Sequence, residues 1–197
     1  MNQSVENFEN LIAEFYHAPY AVATDCCTHA IELCLRLLNP RSVSCPYNTY
    51  PSIPMTFKKL NLDLNWYYLN WKDYYWIGNT RIIDAAVFWQ QGGYVKDTYM
   101  CLSFQFKKHL SLGRGGMILT DNKEHALILK KMSYDGRLPN IPWAEQNIDT
   151  YGYHYYMTPE TAELGIEKFY QVKDISPKKW SWEDYPDISK MEVFRAK

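Results

Sequence analysis

Ser103-Phe104-Gln105-Phe106-Lys107-Lys108-His109-Leu110-Ser111-Leu112-Gly113-Arg114-Gly115-Gly116 is the densest polar run of the chain. It separates two short apolar segments, Met100 to Phe104 and Gly116 to Thr120, each of which reads as a strand. Taken by composition, Lys107-Lys108 is a solvated basic turn and the glycines only tighten the connection. Working outward, strands and helices alternate. Phe8, Leu11, Ile12 and Phe15 follow the i, i+3, i+4, i+7 spacing of a helix that Ser4 can cap and that ends near His17 to Pro19. Tyr20 to Thr24 reads as a buried strand. A helix beginning near Thr28 carries Ile31, Cys34, Leu35 and Leu38 and stops at Asn39-Pro40. Ser42 to Cys45 and Arg81 to Asp84 are further strands. Asp121 and Glu124 form a capping-box pattern for a helix to about Met132. Thr158-Pro159 opens another to about Val172. The stretch 46–79, broken by Pro46, Pro51 and Pro54, yields no clear element, and the last 25 or so residues have no firm periodicity. The alternation predicts an α/β fold of three layers, α/β/α, with a mainly parallel sheet.

The chain has 197 residues, 47% hydrophobic and 22% charged, which is globular and sufficient for one domain. Lys+Arg 21 against Asp+Glu 22 leaves a formal charge of −1, with no basic footprint for nucleic acid. No apolar run has the length of a membrane span, and MNQSVENFENLIAEF lacks the basic and apolar regions of a signal peptide. The five cysteines show no C-x-x-C spacing, so neither a disulfide framework nor a zinc site is expected, no metal is called for, and a cytoplasmic location fits.

Ligands of α/β sheets bind at the carboxyl ends of strands. The polar residues that follow the strands are Thr24 to Thr28, Pro46 to Tyr50, Asp84 and Ser103 to Gly116. Each has a plain reading: Thr28 a helix cap, Tyr50 a core ring, Asp84 a turn former. Their order nevertheless resembles the DegT/DnrJ/EryC1/StrS family, pyridoxal-phosphate (PLP) sugar aminotransferases of fold type I. The resemblance rests on Ala21 to Ile31 before the first phosphate-side helix, Pro46-Tyr47-Asn48-Thr49-Tyr50, and Ile82-Ile83-Asp84-Ala85-Ala86. It continues through Ser103 with a lysine five residues on and Gly-x-Gly-Gly five beyond that, Ser133 to Arg137, and Gly152-Tyr153-His154-Tyr155-Tyr156-Met157.

The resemblance implies the large domain of a PLP-dependent transferase over residues 1–175, internally shortened, with 176–197 as a tail in place of a smaller second domain. Counting from Ser103 and from Gly113 gives Lys108 as the catalytic lysine, holding the cofactor through its amine and moving the proton between carbon centres. Thr28, His29 and Ser103 would serve the phosphate, Tyr50 would stack on the cofactor ring, and Asp84 would face the pyridine nitrogen. His154 stands where relatives place an asparagine that reaches the neighbouring subunit's phosphate. Some relatives carry histidine at the lysine position and dehydrate; His109 is one place too late. The implied activity is amino transfer from an amino acid, glutamate by expectation, to a keto sugar, nucleotide-linked, in a homodimer with shared active sites. Departures from the family pattern are Val87, Arg114, His154, Tyr156, the short interval between Tyr50 and Asp84, and the early end of the chain. They keep open a non-catalytic or hetero-oligomeric relative. A nucleotide-binding protein using Gly113 to Gly116 is a remoter reading, because that run precedes a strand where a dinucleotide fingerprint opens a helix.

Overall fold

A computed structural model describes residues 3–195; residues 1–2 and 196–197, the outer ends of the expected division of the chain, lie outside them. In chain order the elements are α1 (Gln3–Tyr16), β1 (Tyr20–Thr24), α2 (Cys27–Leu38), β2 (Ser42–Pro46), α3 (Ser52–Lys59), β3 (Asp63–Tyr67), β4 (Tyr75–Ile77), β5 (Ile82–Asp84), β6 (Tyr99–Ser103), β7 (Gly116–Thr120), α4 (Lys123–Ser133) and α5 (Pro159–Val172). Short 3-10 turns punctuate the loop after α4 and the C-terminal segment.

Alternation along the strands builds two cores, one on each face of the sheet. Met100 and Leu102 of β6 and Met117 and Leu119 of β7 face Phe8, Ile12 and Phe15 of α1 and Phe169 of α5. Tyr99, Cys101 and Ile118 face the other way, toward Ile31 and Leu35 of α2, Phe57 of α3 and Leu129 of α4. The fold is therefore α/β in three layers. Pairing within the sheet differs from the mainly parallel expectation. The five-stranded sheet runs β1-β7-β6-β5-β4, and only β5 and β6 pair in parallel. The connections β4 to β5 and β6 to β7 contain no helix to carry the chain back across a sheet face, so those neighbours run antiparallel. A parallel pair, β2 with β3, continues the sheet through a Ser44–Gly78 bridge beyond β4.

Several local expectations shift by a residue or two. Ser4 lies inside the first turn of α1, and α2 starts at Cys27 with Cys26 at its N-cap. Asn122 caps α4 by accepting from the His125 amide at 2.9 Å, whereas Asp121 accepts from the Asp97 amide. Thr158 caps α5 as expected. The unparsed stretch 46–79 holds α3, β3 and β4.

The edge strand β1 is closed by charge. Buried Glu9 of α1 accepts the outward-pointing Ala23 amide at 2.9 Å and pairs with Lys130 of α4 at 2.7 Å. The C-terminal segment is a strap laid over the 47–49 and 71–73 loops. Asp73 donates to the Trp180 carbonyl, Trp182 to that of Trp71 and Ile188 to that of Tyr47, at 2.9, 3.1 and 3.0 Å. Ile188 is fully buried beneath it. Among the described residues no helix is long and apolar enough to cross a membrane.

Candidate active site

A cleft of about 430 Å³ opens at the carboxyl ends of β1, β5 and β6. Thr28, His29, Tyr50, Asp84, Ser103 and Lys108 all line it. His154 does not: it is largely exposed, pairs with Asp135 at 3.2 Å and packs edge-on against Tyr156. The cleft therefore gathers groups from six separate parts of the chain, several of them placed by the end of a strand or the start of a helix.

One end is the N-terminus of α2, where free backbone amides and the helix dipole favour an anion. Gly116 lets β7 come this close, because a Cβ there would collide with the Cys26–Cys27 peptide. Thr28 and Ser52 share a hydrogen bond of 2.8 Å between their hydroxyls. Asp25 binds His29 Nδ1 at 2.6 Å and Arg114 at 2.7 Å. Burial pushes the Asp25 carboxyl up, but the hydrogen bonds and charges of His29 and Arg114 outweigh it and hold it below its ordinary value. Burial pulls His29 down, yet the bonds from Asp25 and Cys26 prevail, so the ring is raised to about 9 and is cationic at neutral pH. Tyr155 stacks on it at 3.6 Å. Asp25, Cys26 and His29 present ligand atoms within 4.8 Å of one another, but their bonds are already spent on the Arg114 and His29 ion pairs.

The other end is drier. Asp84, at the end of β5, accepts from the Tyr75 hydroxyl and, at 3.0 Å, from the Ala86 amide; Tyr75 also bonds Thr49. Burial raises the Asp84 carboxyl despite these donors and the nearby Lys108 charge. Lys108 has no ion-pair partner among the described residues, and burial lowers its amine although Asp84 attracts the charge. The neutral amine is consequently more accessible there than on an exposed lysine. Tyr50 stands at the rim, 58% exposed, with the open ring a stacked ligand needs. Val87 adds an apolar wall.

The sequence reading missed three wall residues, Trp71, Tyr75 and Tyr185. Their rings form a continuous wall: Tyr185 lies 5.3 Å from Trp71, which lies 5.2 Å from Tyr75. Tyr185 comes from the strap, and its backbone carbonyl is held by Asn48 at 2.8 Å. Trp71 and Tyr75 fall in the proline-broken stretch, where no periodicity marks a site. Arg114 was noted as a departure; its link to Asp25 places it beside the N-terminus of α2.

None of the curated proteins is similar to this sequence. Solved structures are. The chain aligns with AtS13 of Actinomadura melliaura at TM-score 0.78 and 18% identity, covering 88% of this chain and 61% of that one. It aligns with the sugar aminotransferase CalS13 of Micromonospora echinospora at 0.68 and 12%, covering 87% and 61%. With Spr1654 of Streptococcus pneumoniae in its PLP form the values are 0.71 and 16%, covering 87% and 60%. At these identities the likeness establishes the fold, and the chain spans about three fifths of the length of these structures. The family model for DegT/DnrJ/EryC1/StrS aminotransferases matches residues 1–54 and 90–185, which takes in Thr28, Tyr50, Ser103 and Lys108 and leaves out Asp84. With most of its length matched by that model, the chain belongs to the DegT/DnrJ/EryC1/StrS aminotransferase family.

Proposed function

We propose that this chain is the cofactor-binding part of a PLP-dependent sugar aminotransferase, moving an amino group from an amino acid, glutamate by expectation, to a nucleotide-linked keto sugar. The observation that carries the reading is the shared cleft of a half-buried lysine without an ion pair among the described residues, a buried carboxylate and a cationic helix N-terminus.

The residues present fit pyridoxal phosphate. Its phosphate matches the amides of α2 with Thr28, Ser103 and the charged His29, its ring the open face of Tyr50, and its pyridine nitrogen the Asp84 carboxylate. When bound, the cofactor supplies an aldehyde carbon for amines and a ring that takes up an electron pair. Lys108 Nζ, lowered by burial, would hold the cofactor as a neutral amine and would carry the proton taken from the donor's α-carbon. Asp84 would face the ring nitrogen, and Tyr75 orients Asp84. Tyr185 and Trp71 give that end an aromatic wall. On this reading residues 3–175 form the cofactor body and 176–195 close its side. A homodimer with shared sites would bring His154, now turned to Asp135, toward the partner's cleft.

Adding PLP is expected to give a near-visible absorption band that Lys108→Ala abolishes and Lys107→Ala keeps. No band in the unaltered protein overturns the reading. If the band forms, bleaching by glutamate is the outcome expected of a transaminase, and a band indifferent to every amino acid marks a non-catalytic PLP-binding relative. The second reading draws on one observation, that the family model skips the segment containing Asp84.

A further inference from the structure

His29, Glu32 and Arg36 fall at i, i+3 and i+7 of α2 and so share one face of that helix. The segment 153–155 is laid along this face. Arg36 sits over the Tyr153 ring at 4.3 Å, and Tyr153 lies beside Tyr155 at 5.6 Å. Tyr155 covers His29 at 3.6 Å, the two rings 11° from parallel. His29 lines the cleft, and Tyr155 stands behind it.

Tyr155 is fixed at both ends. Its hydroxyl donates to Glu32 Oε1 at 3.2 Å and accepts from Lys59 Nζ at 3.1 Å. Its carbonyl accepts from the Asp25 amide at 2.8 Å, and its own amide donates to the Ser133 carbonyl at 3.0 Å. Glu32 anchors this clamp. It is 1% exposed, and it also takes Arg36 at 2.7 Å and Lys59 at 2.9 Å. Burying a carboxylate costs free energy that the two cations offset. An apolar side chain could cover the helix face without burying any charge, so the clamp serves something more than cover.

What it holds is the His29–Asp25 pair, 2.6 Å apart, since the ring of one and the backbone of the other both rest on Tyr155. We propose that Tyr155, clamped by Glu32 and Lys59, is a positioning residue that keeps the His29 imidazole flat in the wall of the cleft's anion end. The role rests on reading the N-terminus of α2 as the phosphate end. A ring face against an imidazolium acts in two ways. It removes rotamers in which the imidazole swings out to solvent, so less freedom is lost when an anion binds. It also attracts the positive ring through its π electrons. The other titratable groups about His29 are Asp25 and Cys26, which precede it, and Arg114 from the β6–β7 loop, joined to it through Asp25.

Pyridoxamine phosphate and pyridoxamine differ only in the phosphate, so the ratio of their affinities isolates what that end contributes. Both are titrated by calorimetry into the full chain freed of cofactor, for the unaltered protein, Tyr155→Leu and Tyr155→Phe. The ratio is expected to fall about tenfold in Tyr155→Leu, the size of one lost hydrogen bond to a charged group. It is expected to fall about threefold in Tyr155→Phe, which keeps the ring and loses the clamp. Pyridoxamine is expected to bind all three proteins equally. A second readout needs no ligand. Followed by NMR, the His29 ring is expected to titrate near pH 9 in the unaltered protein. In Tyr155→Leu, which keeps the apolar cover and loses the π face, the midpoint should fall by about half a pH unit or more. An unmoved midpoint overturns the role, and so does an affinity ratio equal in all three proteins. Tyr155→Phe decides through the ratio if Tyr155→Leu does not fold. If pyridoxamine phosphate fails to bind the unaltered protein, the phosphate reading falls instead, and the His29 midpoint alone decides whether Tyr155 positions the ring.

Discussion

The two ends of the cleft handle charge in opposite ways. At the N-terminus of α2 every charged side chain has a partner, one carboxylate for two cations: Asp25 ties together His29 and Arg114, and the group remains partly open to solvent. At the β5 end Asp84 and Lys108 are taken out of water with too few partners, and both are pushed toward their neutral forms. The first end is built to bind, at little cost to the fold. The second is kept reactive by withholding the ion pairs that would make it comfortable.

That contrast can be broken from the dry side first. Tyr75→Phe removes the hydroxyl shared by Asp84 and Thr49 without changing the ring that packs on Trp71. The expected loss is about 2–3 kcal/mol in chemical denaturation, since a buried carboxylate and a hydroxyl lose a partner together. The same change should push Asp84 further up and weaken PLP binding.

On the wet side the prediction concerns pH. His29 is raised from 6.5 to about 9, so its stabilising charge is complete below 6.5 and lost as pH climbs through about 9. Asp25 is held below 3.8, so its share is complete above that value and lost as pH falls through its lowered one. Asp25→Asn should cost about 1 kcal/mol or less, because the pair is half-open to solvent. Its clearer mark is on anion affinity. Binding of PLP, followed by absorption, should weaken near pH 9 in the unaltered protein and at distinctly lower pH in the variant. An unmoved midpoint would remove His29 from the phosphate end.

The smallest effect has the opposite sign. Lys108→Met should raise the melting temperature of the protein at neutral pH, trading reactivity for stability. The lysine's folded value lies below 10.5, so burying its charge costs stability until the folded form loses its proton, and that cost fades as pH rises toward 10.5. The gap between variant and parent should narrow accordingly in alkaline melts.

Much of this was legible in the sequence where local pattern and tertiary role coincide. Strands β1, β6 and β7 alternate between two cores, the helices keep their spacing, and the groups that follow strand ends meet in one cleft. What stayed hidden depends on distant partners. Arg114 and Asp25 meet across 89 residues of chain, and Trp71 becomes a wall only because the strap lies over it. The three residues of β4 are too few to show a period, and their pairing with β5 is set by a four-residue turn. Sheet direction failed for a related reason. Periodicity says that a segment is a strand, not which way its neighbour runs.

The Glu9–Lys130 clasp over β1 reaches beyond folding. An edge strand with free amides is a template on which another chain can lay a strand of its own, the route by which sheets extend into aggregates. Here the Ala23 amide is occupied by Glu9 and the Asp25 amide by the Tyr155 carbonyl at 2.8 Å. A second chain meeting this edge therefore finds two of its amides already taken, both near the cleft end of β1, which leaves it a shorter seam to pair with.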